Sequence, residues 1–409
     1  MIFFLYRFSF QAGAGSTLFA AGEEIMTGTC NLGRPTWAEV DLSCLANNLK
    51  SFRRLLPPRV RIMAVIKADG YGHGAYEVSR VALQEGASML GVASLEEGLE
   101  LRKKGIKSPI LILGYTDPRQ NRLLLEYDLT PAISHWEAAL SLSQQAVAAG
   151  KKVPVHVKLD TGMSRLGLRE PAGIISLLEK LSALPGIRLE GLFTHFATAD
   201  EMEKDFMEEQ LEKFKAVIRE GEKKGIHIPL KHAANSAAAI NFPESHLDMV
   251  RIGIGMYGYY PSDEVSREKI KLCPVLSLKS RIVLLKKIPS GTPVSYGRTF
   301  TAATETLVAV VPLGYGDGYS RRLSNNGVML VRGRKVPVIG RVCMDLTMLD
   351  VGAVPDVQEG DEVVVYGKQG SQEIWVDQVA RQLGTISYEL LCNINSRIPR
   401  IYTGITQKV

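Results

Sequence analysis

The chain has 409 residues, which is more than one hydrophobic core usually holds, so two domains are expected. The 49 Lys and Arg against 43 Asp and Glu give a net charge of only +6, without the dense basic run that marks a nucleic-acid surface. No apolar run reaches the ~18 residues that a transmembrane helix needs. These numbers exclude the nucleic-acid-binding and membrane-spanning classes, and we expect neither a nucleic acid nor a membrane as partner.

Residues 1–35 are predicted to be a poorly ordered N-terminal extension. Residues 1–10 are apolar and aromatic and residues 12–21 are rich in small side chains, as in a secretory signal. The only early cation, Arg7, interrupts the apolar stretch instead of preceding it, and Met26 is an alternative start. We therefore set this segment aside and expect a cytoplasmic protein.

The five cysteines form no CxxC pair and show no metal-ligand spacing. Their odd number argues against a complete disulfide framework, so reduced thiols are expected. No metal site is predicted.

Residues 36–270 alternate short apolar runs with segments of helical periodicity. The clearest helix covers 205–220, where apolar residues recur at spacings of four, three and four (Met207, Leu211, Phe214, Ile218). The apolar runs are continuous, as in parallel strands buried on both faces. Eight such units predict an α/β fold with a (β/α)₈ (TIM) barrel, and a doubly wound open sheet is the competing architecture. The candidate strands cover 61–68, 89–93, 109–114, 129–133, 153–159, 189–195, 228–233 and 249–254.

Residues 271–409 predict a second, mostly-β domain, because strand-like runs are separated there by Gly, Pro and Asn pairs. One good helix is expected, over 376–383. The candidate strands cover 281–288, 306–312, 327–331, 336–343 and 362–366.

Chemistry in such a barrel lies at the C-terminal ends of the strands. The first strand ends at Lys67 within AVIKADGYGHG (64–74). A lysine there is costly unless it is paired or covalently used, although it can also extend to solvent. The fifth strand leads to Arg165 within LDTGMSRLG (159–167), where an arginine can hold a carboxylate by two hydrogen bonds. Lys158, just before, needs an anionic partner if it is buried.

Three later strand ends are also polar. A lone histidine such as His195 is more often a core histidine than a site residue, and Asn235 and Ser236 fit either a helix N-cap or a phosphate contact. The segment GIGMYG (253–258) matches G-x-G-x-x-G, but it follows the last strand instead of the first. It therefore predicts a phosphate site of the barrel type and not a dinucleotide site.

Three clusters in the β domain, VSYG (294–297), GYGDG (314–318) and RVCMD (341–345), are ordinary turn material when taken alone. Together with the two barrel segments 64–74 and 159–167, they resemble the alanine racemases, a family of barrel-type (fold type III) pyridoxal-phosphate enzymes. The resemblance spans residues 36–402, with five separated matches in the same order. Ser164 is a small-residue variation on the family pattern, and the stretch before Thr36 has no counterpart.

The resemblance implies an isomerase that interconverts L-alanine and D-alanine for peptidoglycan synthesis, with pyridoxal 5'-phosphate bonded to Lys67. Lys67 and Tyr296, the latter from a partner subunit, would be the two bases, because a proton taken from one face must be returned to the other. Tyrosine has an ordinary pKa near ~10, so a nearby cation must favour its ionised form. Arg165 would supply that charge and contact both cofactor and substrate.

Further roles follow from the same resemblance. Arg251 would meet the pyridine nitrogen, from which it cannot accept a proton, so side reactions such as transamination should be rare. His195 would support Arg251, and Lys158 matches a position that is carbamylated in relatives. The residues implied to hold the phosphate are Tyr71, Asn235, Ser236, Gly253, Ile254 and Tyr388.

Because Tyr296 acts across an interface, a homodimer with shared active sites is implied, with residues 271–409 completing the partner's site. The backbone N–H of Met344 and the neighbouring Asp345 would help bind the small amino-acid substrate. The residues matching the entry channel are Asp200, Tyr315, Arg321 and Arg341.

Three alternatives stay open. A broad-specificity or basic amino-acid racemase would use identical chemistry, although the Tyr-rich mouth (Tyr296, Tyr315, Tyr388) favours a methyl-sized side chain. A diamino-acid decarboxylase would need a cysteine near the substrate, for which Cys343 is the candidate. A non-catalytic pyridoxal-phosphate carrier would lack the β domain and would have no use for Tyr296.

Overall fold

The structure, a computed structural model, describes residues 33–404. The predictions for the N-terminal extension and its signal-like segment therefore fall almost wholly outside the described residues. The described chain begins with strand β1 (Thr36–Asp41) and helix α1 (Leu42–Leu55), whose N-cap Asp41 accepts hydrogen bonds from the N–H groups of Ser43 and Cys44.

Eight parallel strands follow. They form one sheet in which neighbouring strands are hydrogen-bonded in the order β8-β7-β6-β5-β4-β3-β2-β9. Strands β8 and β9 approach at the ends of that order, where the Asp248 N–H donates to the Lys231 carbonyl and the Arg251 N–H to the Ala234 carbonyl. The sheet thus closes into the predicted barrel, and the open-sheet alternative is excluded. The strands are β2 (Arg61–Val65), β3 (Met89–Val92), β4 (Ile110–Ile112), β5 (Thr130–Ile133), β6 (Val153–Lys158), β7 (Ile187–Phe193), β8 (Leu230–His232) and β9 (Met249–Ile252).

Helices cover the outside of the barrel and bury their apolar faces against the strands. The helix predicted over 205–220 is confirmed as α8, with Met207, Leu211 and Phe214 buried. The helices that follow α1 are α2 (Lys67–Tyr71), α3 (Ala75–Gln84), α4 (Leu95–Lys103), α5 (Asn121–Glu126), α6 (Trp136–Ala148), α7 (Pro171–Ala183), α8 (Asp205–Lys223) and α9 (Ser236–Asn241).

The C-terminal part is mostly β, as predicted. One sheet has the order β16-β15-β18-β10-β1-β20, with β19 paired to β18, and two smaller sheets are β11-β14-β17 and β12-β13. The elements are β10 (Leu276–Arg281), β11 (Leu284–Ile288), β12 (Pro293–Val294), β13 (Phe300–Thr301), β14 (Thr306–Val311), β15 (Val328–Val331), β16 (Arg334–Pro337), β17 (Thr347–Asp350), β18 (Glu362–Gln369), β19 (Gln372–Ile374), α10 (Val376–Leu383), α11 (Ser387–Cys392) and β20 (Arg400–Thr403).

Several details of the predicted β domain are wrong. The strand expected over 281–288 is two strands in different sheets, β10 and β11, and the strand expected over 336–343 ends at Pro337. A second helix, α11, follows the predicted α10. Strand β1 lies in the range assigned to the barrel, yet it pairs with β10 and β20, so the chain enters the C-terminal sheet before it forms the barrel.

The expectation of reduced thiols is wrong for one pair. Cys44 of α1 and Cys273, 229 residues apart in sequence, are joined by a disulfide with a Cα–Cα distance of 5.6 Å. Asn48 brings the two segments together, since its amide donates to the carbonyls of Met256 and Cys273 and accepts from the Cys273 N–H. The bond therefore ties the first barrel-side helix to the segment that leads into β10.

Over residues 33–404, no helix is both long and apolar enough to cross a membrane. The same residues contain no group of three or more His, Cys, Asp or Glu side chains placed to hold a metal ion.

Candidate active site

A cavity of 310 Å³ opens at the C-terminal ends of the barrel strands, where the fold predicts chemistry. The structure brings together in its lining eleven of the residues selected from the sequence. These are Lys67, Tyr71, Lys158, Arg165, His195, Asn235, Ser236, Arg251, Gly253, Ile254 and Tyr388.

The charge of the cavity is its most distinctive property. Four cationic side chains line it (Lys67, Lys158, Arg165, Arg251), and no Asp or Glu is among its lining residues. Burial in a low-dielectric site makes such unpaired positive charge costly. The cavity is therefore built for a ligand that carries negative charge.

Lys67 starts a segment of unusual backbone geometry. Residues 68–71 all have φ between 51° and 61°, a left-handed turn that costs roughly 1–2 kcal/mol per non-glycine residue. The carboxylate of Glu97 holds the turn, accepting the N–H of Ala68 at 2.7 Å and that of Ala93, at the end of β3, at 2.6 Å. Burial and the charge of Arg165 lower the pKa of Lys67, which increases its neutral, nucleophilic fraction.

Arg251 of β9 is buried, and its guanidinium is held from several sides. Its terminal nitrogens donate to the carbonyls of Thr194, His232 and Ala233 and to the Nδ1 atoms of His195 and His232, at 2.8–3.1 Å. None of these bonds uses the Nε–H, so among the described residues this donor has no partner. Arg251 can therefore offer one fixed N–H to a ligand in the cavity.

At another part of the lining, two hydroxyl groups converge. Ser236 accepts the N–H groups of Gly253 at 3.0 Å and Gly255 at 3.4 Å, which leaves its own hydrogen free to donate. A Cβ on residue 253 would lie 2.8 Å from the Tyr71 hydroxyl, so the close approach there requires glycine. The Asn235 side chain is the N-cap of α9 and accepts the Ala238 N–H, which supports the helix-cap interpretation of that residue.

Lys158, at the end of β6, lies over the ring of Phe193 with Nζ 4.7 Å from its centroid. Burial, with the charges of Arg251 and Arg165, lowers the pKa of Lys158 to about 7. No ion pair involving Lys158 is found within residues 33–404, so the sequence-based requirement for an anionic partner is not met by a protein carboxylate.

The remaining predicted residues do not line the cavity. Tyr296, Tyr315 and Met344 are exposed, by 70%, 42% and 53% respectively. The Tyr315 and Met344 segments are joined, because the Tyr315 N–H donates to the Cys343 carbonyl and the Gly316 N–H to that of Met344. Ser295, next to Tyr296, donates its hydroxyl to the Arg341 carbonyl. The other predicted residues outside the cavity are Asp200, Arg321, Arg341 and Asp345, the last of which accepts a hydrogen bond from Arg397.

Four residues with clear roles in the site were missed from the sequence: Glu97, His232, His156 and Glu190. His232, His156 and Glu190 each contact a residue of another strand, so no local spacing signals them, although a histidine inside the buried run VPVHVK (153–158) is an unusual feature. Glu97 lies on α4, and its link to Ala68 is likewise not local in sequence. A fifth omission is Cys392 of α11, whose thiol and Lys67 influence each other electrostatically. Cys343 is thus not the only cysteine to consider near the site.

Comparisons with known proteins agree over nearly the whole described chain. The family model "Alanine racemase, N-terminal domain" matches residues 40–261, and "Alanine racemase, C-terminal domain" matches 275–402. An alanine racemase of Desulfosudis oleivorans is 48% identical over 375 residues, covering 90% of this chain and 96% of that protein.

Solved structures give the same result. An alanine racemase of Clostridium difficile 630 matches with a TM-score of 0.87 and 39% identity, covering 91% of this chain and 97% of the other. A histidine racemase from Leuconostoc mesenteroides matches with a TM-score of 0.84 and 30% identity, covering 91% of this chain and 99% of the other. The fold is therefore similar to those of an alanine racemase and a histidine racemase.

Proposed function

The chain belongs to the alanine racemase family, and from that membership we propose that it interconverts L-alanine and D-alanine with pyridoxal 5'-phosphate as its cofactor, in active sites shared between two copies. The observation that carries the proposal is the cavity that joins Lys67 to three further cations without any carboxylate. An anionic cofactor and an anionic amino acid together supply the missing negative charge.

The residues present fit the cofactor. Lys67, with its lowered pKa, is the amine that would bond the aldehyde. The Ser236 and Tyr71 hydroxyls, with the backbone of Gly253 and Ile254, would hold the phosphate, flanked by Asn235 and Tyr388. When bound, the cofactor withdraws electrons from the substrate's α-carbon and makes its proton acidic.

Arg251 would face the ring nitrogen through its free Nε–H. A guanidinium donates but does not accept, so this contact keeps the nitrogen unprotonated. His195 supports Arg251 by accepting from it at 3.0 Å. By withholding a proton from that nitrogen, Arg251 would favour return of the proton to the α-carbon over side reactions.

Two bases are needed on opposite faces of the substrate. Lys67 Nζ would serve one face, and Oη of Tyr296 of the partner subunit the other, each taking or returning the α-proton. Arg165 would bind the substrate carboxylate and favour the ionised tyrosine, while the N–H of the partner's Met344 and the partner's Asp345 would complete the carboxylate site.

We further infer that Lys158 is a carbamate in the working enzyme. With a pKa of about 7, part of Lys158 is a neutral amine at neutral pH. Its nitrogen can attack the carbon of CO₂, form an N–C bond and lose a proton. The resulting anion would give Arg165 the negative partner that no described side chain provides.

The exposed face of the β domain supports the dimer. Tyr296, Tyr315, Met344 and Leu346 leave large apolar side chains in contact with solvent in a single copy. A patch of this kind marks an interaction surface. Its partner would be the barrel mouth of a second copy, with Asp200, Tyr315, Arg321 and Arg341 along the substrate channel.

Alanine is proposed over larger substrates because three tyrosines, at 296, 315 and 388, would surround the side-chain position. The alternative is a racemase of broader or basic specificity. The product would supply D-alanine for peptidoglycan in the cytoplasm.

The test begins with the apoprotein titrated with pyridoxal 5'-phosphate, followed by turnover of L-alanine in heavy water. We expect saturable binding and D-alanine with deuterium at the α-carbon. Racemisation of lysine, serine or histidine, with no racemisation of alanine, would support the alternative of a racemase with broader or basic specificity. Carbon dioxide release without a D-isomer would point to the decarboxylase, and binding without any turnover would point to the carrier.

A further inference from the structure

The interior of the barrel contains a line of polar side chains that begins at Arg251. Its Nη1 lies 3.1 Å from Nδ1 of His232, whose Nε2 lies 2.9 Å from Nδ1 of His156. The Nε2 of His156 lies 3.5 Å from Oε2 of Glu190. Four strands, β9, β8, β6 and β7, thus contribute one residue each to a line that runs from the cavity to a partly exposed carboxylate.

The direction of each hydrogen bond can be deduced from the first donor. A guanidinium only donates, so Nδ1 of His232 must accept, and the hydrogen of a neutral His232 is on Nε2. That hydrogen points to Nδ1 of His156, which in turn must accept and carry its own hydrogen on Nε2. The arrangement therefore ends with a donor aimed at Glu190.

Glu190 is the acceptor that completes the line. The distance of 3.5 Å is an ion-pair contact and longer than a good hydrogen bond. His156 Nε2 is buried without any hydrogen-bond partner among the described residues, so Glu190 is the acceptor within its reach. The second carboxylate oxygen of Glu190 pairs with Arg188 at 3.1 Å, and Arg61 adds positive charge nearby. These cations keep Glu190 ionised, since the pKa of its carboxyl is lowered by His156, Arg188 and Arg61.

Local structure fixes both imidazole rings. A β-bulge between Val155 and His156 shifts the register so that His156 lies opposite Gly191. A Cβ on residue 191 would be 2.3 Å from Nδ1 of His156, so the ring occupies the space that only glycine leaves. The His232 ring stacks on Phe193, with centroids 4.9 Å apart and planes within 3°.

Both histidines are fully buried, and burial lowers the pKa of each, that of His232 well below its ordinary range. Protonation of His232 would in addition place an N–H against the Arg251 N–H. Two neutral rings with the hydrogen on Nε2 are thus the arrangement that satisfies every contact.

We propose that Glu190 is a positioning residue for Arg251, acting through the tautomers of His156 and His232. With an acceptor at 190, Arg251 keeps His232 as a partner for its terminal nitrogen, and its Nε–H stays free for the cofactor. Without one, the buried Nε2–H of His156 has no acceptor, and a shift of this hydrogen to Nδ1 would oppose the His232 N–H and disturb His232 as the acceptor for Arg251. The contact between Arg251 and the cofactor's ring nitrogen rests on the proposed function, whereas the predicted tautomers of His156 and His232 do not rest on it.

Histidine labelled with ¹⁵N, in the apoprotein, tests the tautomers directly. The sequence has seven histidines, and single His156→Gln and His232→Gln variants assign the two signals. We expect a protonated Nε2 and an unprotonated Nδ1 for both rings. A hydrogen on Nδ1 of either ring, or a doubly protonated ring, would overturn the proposal. This readout needs neither cofactor nor activity, so it remains decisive if racemisation is absent.

Two substitutions at Glu190 separate hydrogen bonding from charge. Glu190→Gln keeps an oxygen acceptor, so tautomers and turnover should stay close to those of the wild type. Glu190→Leu removes it, and we expect mixed tautomers and about a tenfold lower kcat with little change in KM for alanine, because Arg251 contacts the cofactor and not the substrate. Glu126→Leu, at an exposed glutamate of α5, is the control and should change neither. If Glu190→Gln and Glu190→Leu gave the same tautomers and the same kcat, Glu190 would not position Arg251. If Glu190→Leu did not fold, the tautomers measured in the wild-type protein would decide the question.

Discussion

In the proposed function, the barrel mouth and the exposed face of the β domain each supply one half of the chemistry, and the two regions are built in opposite ways. At the barrel mouth, the pKa values of Lys67 and Lys158 are lowered by burial, and Arg251 is fixed by five hydrogen bonds. On the β-domain face, Tyr296 and Met344 are more than half exposed. The barrel half is preorganised within a single chain, whereas the β-domain half, on the proposed function, would act only once a second chain encloses it.

The largest effect is expected from Lys67→Ala in the preorganised half. Loss of the amine removes both the covalent link to the cofactor and one base, so alanine interconversion should fall by ~10³-fold or more. The rate of D-alanine formation measures the activity. Reduction with borohydride followed by mass analysis detects the covalent link between the lysine and the cofactor. Lys107→Ala, an exposed lysine of the same chain, is the control. Retention of a reducible link in Lys67→Ala would assign it to another lysine.

Tyr296→Phe should weaken the exposed half without affecting the other. Interconversion should fall by ~10²–10³-fold, the typical contribution of one acid–base group. Lys67 would still exchange the α-proton of one alanine enantiomer with heavy water, so exchange without inversion is the expected signature. The unfolding free energy should change little, because the substitution removes only a hydroxyl group and keeps the ring. Equal loss of exchange for both enantiomers would contradict separate roles for the two bases.

Gly191→Ala is expected to affect stability where Tyr296→Phe does not. The added methyl overlaps the His156 ring inside the barrel, so we expect ~1–3 kcal/mol less unfolding free energy, measured with denaturant. Gly221→Ala in α8 is the matched control, since its nearest neighbour would be 4.0 Å away and alanine favours a helix by up to ~1 kcal/mol. A neutral Gly191→Ala would mean that the ring is not confined there.

A pH-dependent effect on stability is expected from Lys158. The pKa of Lys158 is about 7 in the folded chain, against an ordinary value of 10.5. Between pH 7 and pH 10.5, Lys158 is therefore protonated in the unfolded chain and mostly neutral in the folded chain. Because the unfolded chain binds more protons over this range, the unfolding free energy must rise with pH. In CO₂-free buffer, the unfolding free energy of the wild type minus that of Lys158→Met should increase from pH 7 to pH 10.5. A flat difference would mean that burial does not perturb Lys158.

Features with a local sequence pattern could be predicted, whereas features that depend on contacts between distant segments could not. Barrel strands such as β6 and β7 were located because continuous apolar runs are typical of strands buried on both faces. Strand β1 was missed because its pairing partners, β10 and β20, lie more than 200 residues away in sequence. Lys67 and Arg165 stand in glycine-rich motifs and were identified, whereas the line from Arg251 to Glu190 depends on residues that meet only after four strands have been placed side by side.

The most direct test of a site divided between two chains is complementation. Lys67→Ala and Tyr296→Phe chains carry different tags and are mixed under conditions that exchange subunits, and activity is measured on D-alanine formation. Each variant alone should be inactive, and random pairing should restore about a quarter of the wild-type activity, because half of the dimers would hold one intact site out of two. Mixed dimers that are recovered by both tags and yet remain inactive would contradict the divided site.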